Sequence, residues 1–246
     1  MVRALKIISN AKTHVGKVRS QNQDAYLEQP KAGIWLVADG MGGHHNGEYA
    51  SQLLTSEIQV PSEVKGIDQL VDFVKLTIQQ KNYQLFHYAS KLGDGVRCGT
   101  TVVCLIVYGL QASILWVGDS RVYQYSTEEQ SLKQVTKDHT VFSEMKEKGL
   151  VDDYHPMAEK YKGALARVVG GDESVEIDEM RLVLSGNERF LLCSDGITKE
   201  LSDEDIWQCL SKHLSPGVTC SMMLNEGLSK NARDNMTACV VDISFV

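Results

Sequence analysis

Apolar residues along this chain gather in short runs closed by Gly, Ser, Asp or Asn, the pattern of strands that end in turns. Such runs occur at LKIISNA, GIWLVAD, TTVVCLIVYG, SILWVGD, RVYQYS, EIDEMRLVL, RFLLCSD and MTACVVDISFV. Residues 47–60 and 67–91 carry helical periodicity instead, and in the second stretch Leu70, Phe73, Val74, Ile78 and Leu85 share one face. A later helix pair is predicted over 203–213 and 219–232; the first opens with LSDED, whose serine followed by an acid suits an N-cap. Strands and helices thus come in blocks with hairpin-like neighbours, which predicts an α+β fold of antiparallel sheets covered by helices, not an alternating parallel sheet.

No proline-rich or low-complexity linker and no internal repeat interrupts the pattern, so residues 1–246 read as one domain. The least regular stretch, 149–163, is charged, contains Pro156 and lacks strand alternation; it reads as a mobile insert or flap.

With 246 residues and 43% hydrophobic content the chain can build a substantial core, and disorder is excluded. A formal net charge of −7 leaves no overall basic field for nucleic acid or anionic lipid. Six cysteines without a CxxC pair, several inside apolar runs, read as buried reduced thiols. The first residues, MVRALKIISNAKTH, lack a signal-peptide core, and no segment reaches the roughly 18 apolar residues of a membrane span. The expectation is a soluble, cytoplasmic monomer.

Candidate chemistry centres on IWLVADGMGGHHNGEYAS, where an apolar run ends in Asp39 and breaks into glycines and histidines. Three readings compete: a phosphate-binding glycine loop, a histidine metal site, and a carboxylate delivered by a buried strand to a metal centre. GMGG has neither the G-x-G-x-x-G spacing nor the GK[ST] ending of a diphosphate loop. His44 and His45 are adjacent and point apart, and no other Cys or His group has zinc-ligand spacing to them. A lone Asp-Gly after a strand is ordinarily a turn. Here, however, Asp119 in WVGDSR, Asp195 in CSDGI and Asp234 in ARDN also mark strand boundaries. Brought to one sheet edge, such carboxylates repel unless cations lie between them, and oxygen donors suit hard ions such as Mg²⁺ or Mn²⁺. A glycine after the aspartate, as Gly40 follows Asp39, lets a backbone carbonyl approach an ion closely. Paired hard ions serve phosphate-ester hydrolysis, which also calls for a fixed cation such as Arg19 on the phosphate.

In order, VRSQNQDAY, LVADGMGGHHNGEYAS, CGTTVV, WVGDSRVYQY, VTKDHT, ALARVVG, LLCSDGI and ARDNMTACVV resemble the metal-dependent protein serine/threonine phosphatases of the protein phosphatase 2C (PPM) type, in their bacterial single-domain form. The resemblance implies a four-layer αββα sandwich. It also implies hydrolysis of phosphoserine or phosphothreonine by direct attack of a metal-bridged water, without a covalent intermediate, using two Mn²⁺ or Mg²⁺ ions and at times a third. Asp39 would bridge both ions, the Gly40 carbonyl would bind the second, and Asp195 and Asp234 would hold the first. Asp24 would lie close to the ions, directly or through water, Asp119 would serve the third, and Arg19 would bind the substrate phosphate. Residues 99–101 read as support for the site. Phosphorylated proteins would be the substrates, with a Ser/Thr kinase acting on the same targets. Two departures stand out: Gln23 where many members have Glu, and Met41 where the DGH members have a histidine.

Overall fold

In the computed structural model, which describes residues 5–43, 45–93 and 95–246, the strands sort into two antiparallel sheets. The first joins β1 (Leu5–His14), β11 (Met236–Phe245), β10 (Asn187–Cys193), β7 (Arg121–Ser126) and β8 (Ser131–Gln134), in that spatial order. The second joins β2 (Asp24–Gln29), β3 (Ile34–Met41), β5 (Val102–Tyr108), β6 (Gln111–Val117) and β9 (Asp178–Val183), with β4 (Gly99–Thr100) paired to the end of β3.

Alternation along the strands decides what each sheet face meets. Trp35 and Val37 of β3, with Leu105, Ile114 and Trp116, pack against Phe190, Leu192, Cys239 and Val241 of the other sheet. Their neighbours Ile34, Leu36 and Ala38 face α1 (Asn46–Leu54) and α2 (Ile67–Leu92). On the opposite flank Leu191, Cys193, Ala238 and Val240 meet α6 (Asp203–Ser211) and α7 (Pro216–Ser229). The result is the expected αββα order of layers. Strands buried on both faces read as near-continuous apolar runs, which is why they were visible in the sequence. Trp35 is fully buried between the sheets, and truncating it to alanine would cost about 3–5 kcal/mol.

Differences from the sequence reading fall at edges and ends. β2 and β8 lie at the sheet edges, where a mixed polar pattern such as DAYLEQ suffices. Helix α1 stops at Leu54, short of residue 60, because Thr55 turns its hydroxyl back onto the Ser51 carbonyl and the Ile58 N–H leaves the helix to donate to Gln29 Oε1. Helix α7 begins earlier than expected, at Pro216, a residue suited to a first turn, and ends at Ser229. The segment read as a flap, 149–163, contains α4 (Ala158–Lys162), and α3 (Val141–Glu147), capped by the Thr140 hydroxyl, lies just before it. Phe142, Val151 and Ala158 form a small apolar cluster beneath it. All six cysteines are free and buried. Among the described residues no helix is long and apolar enough to cross a membrane.

Candidate metal centre

Asp24 and Asp39 stand opposite one another in the β2–β3 register, so their side chains emerge on one face of the sheet. Asp24 reaches across to the other sheet, where its Oδ2 accepts from Ser194 Oγ and Thr237 Oγ1, both at 2.7 Å. Burial pushes its pKa up to about 7; the two hydroxyl bonds act against this, and the charges of Asp195 and Asp234 add to it. Its Oδ1 is buried without a hydrogen-bond partner among the described residues.

Asp39 is pinned through its backbone. Its N–H donates to Thr101 Oγ1 (3.1 Å), and its carbonyl accepts from the Thr101 N–H (2.8 Å) and Thr100 Oγ1 (2.9 Å). Thr100 and Thr101 therefore fix the backbone of Asp39. Burial, followed by the charges of Asp24, Asp195, Asp119 and Asp234, holds the Asp39 pKa well above the ordinary carboxylate range. Gly40 is required by close packing: a Cβ there would lie 2.0 Å from the Gly47 carbonyl oxygen and 2.7 Å from that of Gln23. The glycine thus lets α1 start against the end of β3.

Asp119 occupies the turn between β6 and β7. Burial, then the charges of Asp195 and Asp138, push its pKa up to about 7 against an opposing pull from Lys199. The turn is held by the Gly118 N–H donating to His139 Nδ1 (3.1 Å) and by a 2.7 Å hydrogen bond between Ser120 Oγ and Thr101 Oγ1.

Asp195 opens α5 (Asp195–Thr198). One of its oxygens, Oδ1, is buried without a partner among the described residues, and the other lies 2.5 Å from Lys199 Nζ. Asp234, just before β11, accepts from both sides: Arg19 Nε donates to Oδ1 at 2.9 Å, and Lys199 Nζ to Oδ2 at 3.0 Å. Burial would raise the Asp234 pKa, but Arg19 and Lys199 outweigh it and hold the group below its ordinary value.

Arg19 rides on the β1–β2 loop and meets Asp234, although in sequence it neighbours Asp24. The loop is drawn in at two points. Gly16 has φ +81°, and a Cβ there would stand 2.2 Å from the Asp234 carbonyl oxygen. Asn235 donates to the carbonyls of Val15 and Gln21, both at 2.9 Å, and accepts from the Gln23 N–H at 2.8 Å.

All the predicted acids therefore converge, with Arg19 beside them. The sequence reading missed Ser194, Thr237, Gly16 and Lys199. Of these only Lys199 carried a local signal, its four-residue spacing from Asp195 on a helical turn. His45 is largely exposed and pairs with Gln21 and Glu48, as a loop histidine. His44 lies outside the described residues.

Among the described residues no three His, Cys, Asp or Glu side chains stand as a ready-made ligand group, and Arg19 and Lys199 draw the outer carboxylates to themselves. The donor chemistry nevertheless fits hard divalent ions. The donors are carboxylate oxygens, three of the carboxylates (Asp24, Asp39 and Asp119) have raised pKa values, and Asp24 Oδ1 and Asp195 Oδ1 are buried without a partner among the described residues. Beside Asp234 opens a cavity of about 370 Å³ whose lining sets Arg19, Lys199 and Arg233 against Glu200 and Asp234, with Arg19 and Lys199 both paired to Asp234.

Sandwich and donor set together define a class, two-sheet α+β domains with a cluster of buried carboxylates. The protein phosphatase 2C family model matches residues 13–231, and the chain belongs to this family of metal-dependent protein phosphatases. It is 28% identical over 238 residues to the serine/threonine phosphatase stp of Listeria innocua, covering 94% of each chain. Among solved structures it is similar to PppA of Pseudomonas aeruginosa, described as a key regulatory component of T6SS (35% identity, TM-score 0.85, 96% of this chain and 97% of that one). It is also similar to the catalytic domain of the serine/threonine phosphatase PstP in complex with two manganese ions (26% identity, TM-score 0.81, 98% and 100%).

Proposed function

We propose that the chain is a single catalytic domain that hydrolyses phosphoserine and phosphothreonine in proteins, with two Mn²⁺ or Mg²⁺ ions at the aspartate cluster. The observation that carries this reading is the convergence of Asp24, Asp39, Asp119, Asp195 and Asp234 from both sheets, with Arg19 at their edge. In this reading Asp39 would help hold both ions and the Gly40 carbonyl the second, Asp195 and Asp234 would hold the first, Asp24 would support them and Asp119 would serve a third. Bound there, the ions supply an activated water for direct attack on phosphorus and offset charge on the phosphate oxygens.

The protein's own groups do the rest. Arg19, half exposed at the mouth of the cluster, is oriented by its two-pronged contact with Asp234, and the guanidinium N–H groups left over would meet the phosphate oxygens and favour the more highly charged transition state. Asp24 is fixed by Ser194 and Thr237, and Asp39 by Thr100 and Thr101, so both carboxylates are oriented before substrate arrives. Met41 follows the Asp-Gly pair and carries no proton to donate, so the leaving serine or threonine oxygen takes its proton from solvent. In this reading the 149–163 segment would act as a substrate-selecting flap. The enzyme acts as a cytoplasmic monomer, opposed by a Ser/Thr kinase with the same targets.

Phosphate release from a phosphothreonine peptide tests this, with Mn²⁺, with excess chelator, and with Asp195→Asn. Release that needs Mn²⁺ and disappears in the variant is expected. A folded, Mn²⁺-binding protein that releases no phosphate from any phosphopeptide would sink the proposal.

A further inference from the structure

Lys199 is the C-cap residue of the short turn opened by Asp195, and the four-residue spacing brings its side chain back over that aspartate. Its Nζ lies 2.5 Å from Asp195 Oδ2 and 3.0 Å from Asp234 Oδ2. One ammonium thus takes lone pairs from both carboxylates that the proposed function gives to the first ion.

We infer that Lys199 is a tethered counter-cation that competes with the metal ion for Asp195 and Asp234, so that the chain sets its own metal requirement through this side chain. The inference rests on the reading of these carboxylates as metal ligands. A tethered group competes at a high effective concentration, whereas a divalent ion must bring a larger charge and better geometry to displace it. Displacement is sterically open. The lysine side chain is half exposed, and the adjoining cavity of about 370 Å³ contains Glu200, a carboxylate able to receive the released ammonium. Arg19 competes less, because it holds Asp234 and leaves Asp195 to Lys199.

The test is calorimetric titration of Mn²⁺ into the full chain, with thermal melting in chelator and in saturating Mn²⁺. The proteins are wild type, Lys199→Met, Lys199→Gln, Lys199→Arg and Asp195→Asn. Both neutral variants should bind Mn²⁺ about three- to tenfold more tightly, the range set by a partly buried ion pair. They should melt lower than wild type in chelator and regain the difference in Mn²⁺. Lys199→Arg, which keeps the charge, should stay near wild type. Folded neutral variants with unchanged or weaker Mn²⁺ affinity would overturn the inference, as would a gain in Lys199→Arg equal to theirs. Wild type that binds no Mn²⁺, or binds it equally well as Asp195→Asn, would overturn the metal-ligand reading itself.

Discussion

Asp24 and Asp39 face each other across the β2–β3 pair, and each has its pKa raised by burial and by the other acids of the cluster. Two buried like charges side by side favour function over stability. Replacing Asp39 by Asn removes, at nearly constant volume, the cost of burying or neutralising an ionisable carboxyl there. In chelator the variant should be more stable than wild type by about 0.5–2 kcal/mol, measured by thermal or urea unfolding. The same variant should lose Mn²⁺-dependent phosphopeptide hydrolysis by at least about 10²-fold. A variant less stable than wild type in chelator would argue against repulsion at this pair.

Arg19 reaches Asp234 through Nε and a terminal nitrogen, a two-pronged geometry that lysine cannot reproduce. Arg19→Lys should lower kcat/KM on a phosphopeptide by about 10²-fold. Stability should change by less than about 1 kcal/mol, because the pair is half exposed. Steady-state kinetics beside a melting curve separates the two effects. Full activity in the lysine variant would remove Arg19 from phosphate binding.

Asn235 satisfies three backbone groups of the loop that carries Arg19. Asn235→Ala leaves them unpaired in a buried position, at a cost of about 1–3 kcal/mol. For a chain of this size each kcal/mol corresponds to a fall in Tm of about 2–4 °C. Activity measured well below the melting range should also drop, since the loop is then free to carry Arg19 away from Asp234. Loss of stability with unchanged kinetics would confine Asn235 to a packing role.

His139 supports the Asp119 turn from beneath, with Nδ1 accepting from the Gly118 N–H and Nε2 3.3 Å from the Asp178 carboxylate. Burial, helped by Arg167, lowers its pKa; Asp178 and Asp138 oppose the shift without overcoming it. Below the unfolded value near 6.5 the unfolded chain binds the proton more readily than the folded one. The stability associated with neutral His139 is therefore full above about pH 6.5 and is lost as pH falls through the lower folded pKa. Imidazole proton shifts followed by NMR should place its midpoint below 6.5. His139→Gln should flatten the acid limb of stability against pH, and an unchanged limb would count against this role.

Much of the fold was legible because its strands are buried on both faces. GIWLVAD, TTVVCLIVYG and MTACVVDISFV contain few polar residues, and Asp39, Gly109 and Asn235 at their boundaries mark where a strand enters or leaves the core. Of the four edge strands β1 and β9 were legible, whereas β2 and β8, and the short turns α4 and α5, were not. An edge strand needs only half an apolar pattern, and a helix of one turn has no period to detect.

The sequence by itself determined the inventory of the site: Asp39, Asp119, Asp195 and Asp234 at the ends of apolar runs, Asp24 and Arg19 in one polar segment, and glycine after two of the aspartates. It determined the family as well, because eight short motifs in fixed order leave few alternatives. Only the tertiary structure decided who touches whom. Asp24 is held by Ser194 and Thr237 of the other sheet, Arg19 answers to Asp234 and not to its sequence neighbour, and Lys199 bridges two acids. The reason is physical. Local periodicity reports which face of an element is buried, whereas hydrogen bonds and charge coupling depend on distances between segments far apart in the chain, which are set only when the two sheets close on their shared core.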